Sequence, residues 1–181
     1  LLSRWDADFL DLDILNRQSY YSCMVRSTDI TKTLGDSAVL RLVHRYRDIV
    51  RKALLNHGGR EVDRAGDGFL TSFASVYAAV KCAITIQCDL SADDESRADG
   101  VAIQARSGIG AGEPVQDGDT LFGSIVNFTS RLCEFAQPGQ IITSSVVREL
   151  CMGKEITFKS LGPTVLKGFN DATDLELVER Q

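Results

Sequence analysis

Four polar residues of this chain stand where they could do chemistry. Asn127 and Arg131 are four positions apart in a segment of helical period, which puts an amide and a guanidinium on one face. Asp67 occupies a Gly66-Asp67-Gly68 turn, and Lys167 lies in Leu166-Lys167-Gly168. A carboxylate suits a hard divalent cation, and Arg, Lys and Asn can donate hydrogen bonds to anionic oxygens. Three of the four also have an ordinary explanation. A Gly-Asp-Gly turn shapes a hairpin, Arg131 can pair with Glu134, and Lys167 can be a strand-end surface lysine.

Other polar features point to no chemistry. His44 and His57 have no Cys or carboxylate at ligand spacing, and read as surface or capping residues. Gly108, Gly110 and Gly112 lack the spacing and the following Lys of a phosphate-binding loop, so they read as tight packing at a dimer or strand contact. The five cysteines form no CxxC pair and are odd in number. Reduced, mostly buried thiols are expected rather than a disulfide framework or a structural zinc site.

The elements that must position these residues follow from periodicity. Leu34, Val39, Leu42, Val43, Tyr46, Ile49, Val50 and Leu54 recur at helical steps, closed by Gly58-Gly59. Before them 19–25 reads as a buried strand, with Ser27 or Thr28 as a cap. After them comes a hairpin about the Gly-Asp-Gly turn, a helix over 76–90, a polar loop over 91–100 and a strand over 101–110. This βαββαβ order predicts an α+β, ferredoxin-like core with helices on one face of an antiparallel sheet. The C-terminal α/β additions comprise a Gly/Asp-rich turn at 116–119, helices over 124–136 and 144–151, and strands at 140–143, 156–161 and 174–179.

Length and composition bound the function. The 181 residues, 44% hydrophobic, suffice for one domain with a sizeable core. A net charge of −5 and no basic run argue against nucleic-acid binding. No apolar run approaches membrane-span length and the opening segment is interrupted by acids, so a cytoplasmic protein without membrane contact is expected. The first residue is Leu, so upstream residues are expected, a regulatory domain among them.

Five segments match one family in order and spacing: STDITKTLGD, HGGREVDRAGDGFLTSF, SGIGAGEPV, LFGSIVNFTSRLCEFAQPGQIITSS and LKGF. The chain resembles the catalytic domain of class III nucleotidyl cyclases, the adenylate and guanylate cyclases, over nearly its whole length. Residues 1–18 are then a lead-in and 19–181 the cyclase-homology domain. The resemblance implies a homodimer with composite sites, each holding a purine nucleoside triphosphate with Mg²⁺ or Mn²⁺. The ribose 3′-hydroxyl attacks the α-phosphorus, pyrophosphate leaves, and a 3′,5′-cyclic nucleotide forms for intracellular signalling.

Carried over position by position, the resemblance makes Asp67 a metal ligand. Asn127 orients the ribose, Arg131 stabilises the pentavalent phosphate and Lys167 binds the triphosphate. It also marks two departures. The family's first metal carboxylate, at the end of the first strand, falls on Cys23, and a loop glycine falls on Arg26. A rival register restores the carboxylate as Asp29 by shortening the loop between strand and helix. In the base pocket, Asp63 replaces the Lys of adenylate cyclases or the Glu of guanylate cyclases, with Thr120 as the later acceptor. A carboxylate facing adenine N1 sets acceptor against acceptor, which disfavours adenine.

Two functional readings follow from different classes. One is an active cyclase, favoured by Asp67, Asn127, Arg131 and Lys167. The other is a degenerate cyclase-homology domain that binds nucleotide or a partner and regulates without catalysis, favoured by Cys23, Arg26 and Asp63. A general ferredoxin-like interaction module explains the fold but not the spaced motifs.

Overall fold

A computed structural model describes residues 18–25, 35–65, 68–93, 102–118 and 120–180. The lead-in except Gln18, the Ser27/Thr28 cap, Arg26, Asp29, Asp67 and most of the polar loop fall outside them. Strand β1 (Gln18–Met24) leads to helix α1 (Asp36–His57), hairpin strands β2 (Arg60–Ala65) and β3 (Gly68–Phe73), helix α2 (Val76–Ala92) and strand β4 (Ala105–Gly110). A small hairpin, β5 (Val115–Asp117) and β6 (Thr120–Phe122), precedes helix α3 (Ser124–Phe135). Strand β7 (Ile141–Ser144), helix α4 (Ser145–Leu150) and strands β8 (Thr157–Val165) and β9 (Ala172–Glu179) complete the chain.

The main sheet has the order β2-β3-β1-β4-β7-β9-β8. Its first four strands pair antiparallel in the expected ferredoxin-like arrangement. The C-terminal additions extend this sheet, β7 joining β4 in parallel and β9 then running antiparallel to β7. A parallel pair needs a crossover, and β5, β6 and α3 supply it.

The two helices of the core share one face as expected, and the additions place a third on the other. On the inner face α1 buries Leu42, Tyr46, Ile49, Val50 and Leu54 of the periodic set together with Ala53, while Val39 and Val43 are half-buried. Gly58, at φ 66°, ends the helix in the left-handed conformation, which costs a glycine nothing. Side chains alternate along a strand, so Tyr20 and Ser22 face this core while Cys23 faces away. The Tyr46 and Ser22 hydroxyls lie 2.8 Å apart, and the Tyr20 hydroxyl lies 3.1 Å from Ser107 Oγ. Gln87 of α2 donates to the Ala105 carbonyl, so the buried polar groups at this contact are satisfied. Arg45 of α1 donates through Nε and Nη2 to Asp93 Oδ1 at the end of α2, at 3.0 and 2.8 Å.

The outer face is covered by α3, above a second core of Leu132, Ala136, Ile142, Leu166 and Leu175. Close contact here rests on small residues. A Cβ on Gly108 would lie 2.5 Å from both Cys133 N and Thr129 O, and one on Gly110 would strike Thr129 Oγ1. The glycine series is therefore a strand-to-helix contact within the chain. A Gly108→Ala variant should lose about 1–3 kcal/mol to overpacking, because α3 backbone cannot yield as a flexible side chain would. That exceeds the roughly 0.4–1 kcal/mol gained from a stiffer unfolded chain. Urea unfolding of the variant against wild type measures the difference.

Candidate active site

Register brings the first strand to the Gly-Asp-Gly turn. Cys23 pairs across β1 with Gly68, the residue after Asp67, and on its other side with Arg106 of β4. The position read as the lost metal carboxylate is thus beside the hairpin that carries Asp67. Cys23 is half-buried, and its sulfur is engaged: Arg106 Nε donates to Sγ at 3.2 Å, and Cys133 Sγ lies 3.5 Å away. Arg106 Nη1 also donates to the Glu134 carbonyl at 3.1 Å, which holds the guanidinium over the end of β1. Contact with the Cys23 sulfur raises the Arg106 pKa further above its already basic value.

This donor set does not suit a hard cation at Cys23. Sulfur is a soft ligand, and a guanidinium beside it repels Mg²⁺ or Mn²⁺. Among the described residues no group of three or more His, Cys, Asp or Glu could hold a metal. Asp67 and Asp29, the carboxylates expected near this position, both lie outside the described residues.

Asn127 and Arg131 both lie on α3, one turn apart; Asn127 is exposed and Arg131 half-buried. Arg131 Nη1 donates to both Glu134 carboxylate oxygens at 2.7 Å. The pairing anticipated as Arg131's ordinary role therefore exists, but it does not bar a second one. The two side chains are 35% and 49% exposed, and such pairs contribute about 0–1 kcal/mol. A hydrogen bond to a charged group contributes about 1.5–3 kcal/mol, enough for a bound phosphate to draw Arg131 away from Glu134.

Lys167 is exposed in the turn after β8. Its flanking residues fix that turn to α3: Leu166 is buried in the outer core, and Phe169 meets Phe128 edge to face with centroids 5.5 Å apart. Phe128 adjoins Asn127, so the helix and the Lys167 turn form one packed unit. Asp63 is exposed on β2 beside a register shift between Glu61 and Asp63. Thr120 is half-buried at the start of β6, and β2 and β6 are in contact. The two residues read as base-contacting are thus on neighbouring strands.

Sequence reasoning missed Arg106, the pairing of Cys133 with Cys23, and the Phe128–Phe169 staple. Arg106 and Cys133 lie 83 and 110 residues from Cys23, beyond any local pattern. The aromatic pair was findable, since each ring immediately follows, or stands two residues after, a residue already singled out.

A ferredoxin-like sheet extended by a parallel strand, with α3 packed on its outer face, defines an α+β domain. The adenylate and guanylate cyclase catalytic-domain family matches residues 19–177, and the chain belongs to that family. A Rhizobium meliloti protein with the provisional name adenylate cyclase 3 is 31% identical over 144 residues, 79% of this chain. The chain spans only 23% of that relative's length. The crystal structure of the adenylyl cyclase CyaB from P. aeruginosa superimposes with a TM-score of 0.83 at 22% identity, covering 92% of this chain and 95% of that one. The guanylate cyclase domain of RhGC from Catenaria anguillulae, in complex with GTP, gives 0.81 at 18% identity, covering 93% and 98%. Both structures share the fold. No helix among the described residues is long and apolar enough to cross a membrane.

If the Phe128–Phe169 contact couples α3 to the Lys167 turn, a double-mutant cycle with Phe128→Leu and Phe169→Leu should give a coupling of about 0.5–1.5 kcal/mol. Chemical denaturation of the four proteins supplies the values.

Proposed function

We propose that residues 19–181 form a nucleotidyl cyclase domain that converts a purine nucleoside triphosphate to its 3′,5′-cyclic nucleotide and pyrophosphate. The observation that carries this reading is the set Asn127, Arg131 and Lys167, borne on a helix and a turn packed together. Asn127 orients the ribose, Arg131 faces the charge that develops on the α-phosphate, and Lys167 binds the triphosphate. Asp67 is the residue that would hold Mg²⁺ or Mn²⁺, which when bound offsets phosphate charge.

The active unit is a homodimer with composite sites, in which Asp67 of one copy faces Asn127 and Arg131 of the other. The β5–β6 hairpin supports such pairing, since Val115 and Phe122 are 66% and 52% exposed. We further propose a cytoplasmic setting, an upstream regulatory domain and a role in signalling. A second reading, nucleotide binding without turnover, is favoured by one observation: the Cys23 sulfur sits under a guanidinium where the resemblance asks for a carboxylate.

Purified protein incubated with ATP or GTP and Mn²⁺ or Mg²⁺, scored for cyclic product, separates the two readings. Turnover supports the first; binding of triphosphate without product supports the second. Cys23→Asp should raise Mg²⁺-supported turnover at least tenfold, the factor given by about 1.4 kcal/mol of barrier. No gain, together with loss of activity in Asp29→Asn, would favour the shortened-loop register instead.

Base preference is set by Asp63, which can accept from guanine N1–H and the 2-amino group but opposes adenine N1. Triphosphate binding should therefore be neutral or biased to GTP by roughly tenfold to a hundredfold. Asp63→Lys should reverse the bias, with Thr120 still accepting from the adenine 6-amino group. A wild-type preference for ATP of roughly tenfold or more, about 1.4 kcal/mol, would show that Asp63 does not face the base.

A further inference from the structure

Cys23 and Cys133 meet on the outer face of the sheet, and three features set this pair apart. Their sulfurs are 3.5 Å apart although the residues are 110 apart in sequence. The Arg106 guanidinium donates to the Cys23 sulfur at 3.2 Å, favouring the anionic, nucleophilic form. Cys133 is 1% exposed, with its thiol directed at the Arg106 carbonyl at 3.4 Å. Contact with the Cys23 sulfur and burial push the Cys133 thiol up, so it keeps its proton. No sulfur contact is formed by Cys82, Cys88 or Cys151 among the described residues; Cys82 and Cys151 are buried and Cys88 is exposed.

The alternative use of two close sulfurs is a soft metal ion. Arg106 argues against it, because its charge faces the sulfur a cation would need. The same charge favours attack by that sulfur on a neutral electrophile. We propose that Cys23 and Cys133 are an oxidisable dithiol, a modification site whose substrate is a small hydroperoxide.

The steps balance as follows. The Cys23 thiolate attacks one peroxide oxygen, the O–O bond breaks, and sulfenic acid forms while the other oxygen leaves as hydroxide or alkoxide and takes a proton. The Cys133 sulfur then attacks the Cys23 sulfur, the S–O bond breaks, and water departs with the thiol proton. Two thiols are oxidised to one disulfide and one peroxide is reduced. The sulfurs must close from 3.5 Å to about 2.0 Å, which turns side chains on β1 and α3. The product ties the end of β1 to α3 two residues beyond Arg131.

This inference does not rest on the cyclase reading, and its test needs no nucleotide. The reduced full chain is treated with hydrogen peroxide, remaining thiols are alkylated under denaturing conditions, and the digest is mapped by mass spectrometry. The expected product is a linked Cys23–Cys133 peptide pair, with three of the five cysteines alkylated and reversal by a dithiol reductant. In Cys133→Ser, Cys23 should stop as a sulfenic acid that a 1,3-dione probe captures. Arg106→Leu should slow the reaction roughly tenfold, the factor for one pKa unit of thiolate. The wild-type map decides the pairing without any variant. Oxidation confined to Cys88, links only between chains, or Cys23 and Cys133 both still alkylated would overturn the proposal.

Discussion

The outer half of this molecule depends on the absence of two side chains. Gly108 and Gly110 leave a bare strip along β4, and α3 lies on it so closely that its backbone at Gly108, and the Thr129 hydroxyl at Gly110, occupy the space a Cβ would need. That contact sets the height and rotation of the helix, and so the placing of Asn127 and Arg131. It also lowers Cys133 onto the end of β1. Ile142, Leu166 and Leu175 then close the sides of the contact with apolar surface.

At the end of β1 two chemistries compete for one place. The resemblance asks for a carboxylate there; the cysteine found instead accepts from Arg106 and lies against Cys133. The guanidinium that steadies the sulfur is the feature least compatible with a cation alongside. On α3, by contrast, the polar groups keep their options, because the Arg131–Glu134 pair is exposed and weakly held. The two ends of the site thus differ in how firmly their present partners bind them.

The sequence made the core legible wherever one period governed a segment. Helix α1 shows this, since its buried residues are those at three- and four-residue steps. Boundaries slipped where a single residue decided them. Helix α2 runs on to Ala92, with Ser91 Oγ donating back to the Gln87 carbonyl at 2.7 Å, so the polar Ser91 lies inside the helix and not in the expected loop. Strand β8 continues to Val165, past the expected end at 161, because Gly162, at φ 78°, takes up an irregularity that leaves the ladder to β9 unbroken. The β5–β6 strands were hidden because three residues are too few to show alternation. Of the candidate site, residue types were readable from motifs, but what touches Cys23 was not, since both partners come from distant elements.

The parallel pairing of β4 with β7 bears on how the chain is made. During synthesis the β1–β4 unit emerges first, with its helices able to cover one face while the other still lacks α3. Until β7 arrives, β4 is an open edge whose backbone groups can join any strand they meet. Its Gly-Ile-Gly stretch offers neither charge nor proline to discourage a wrong partner. Pairing β4 with β7 requires the crossover of β5, β6 and α3 to close first, and parallel crossovers are in general slower to close than hairpins.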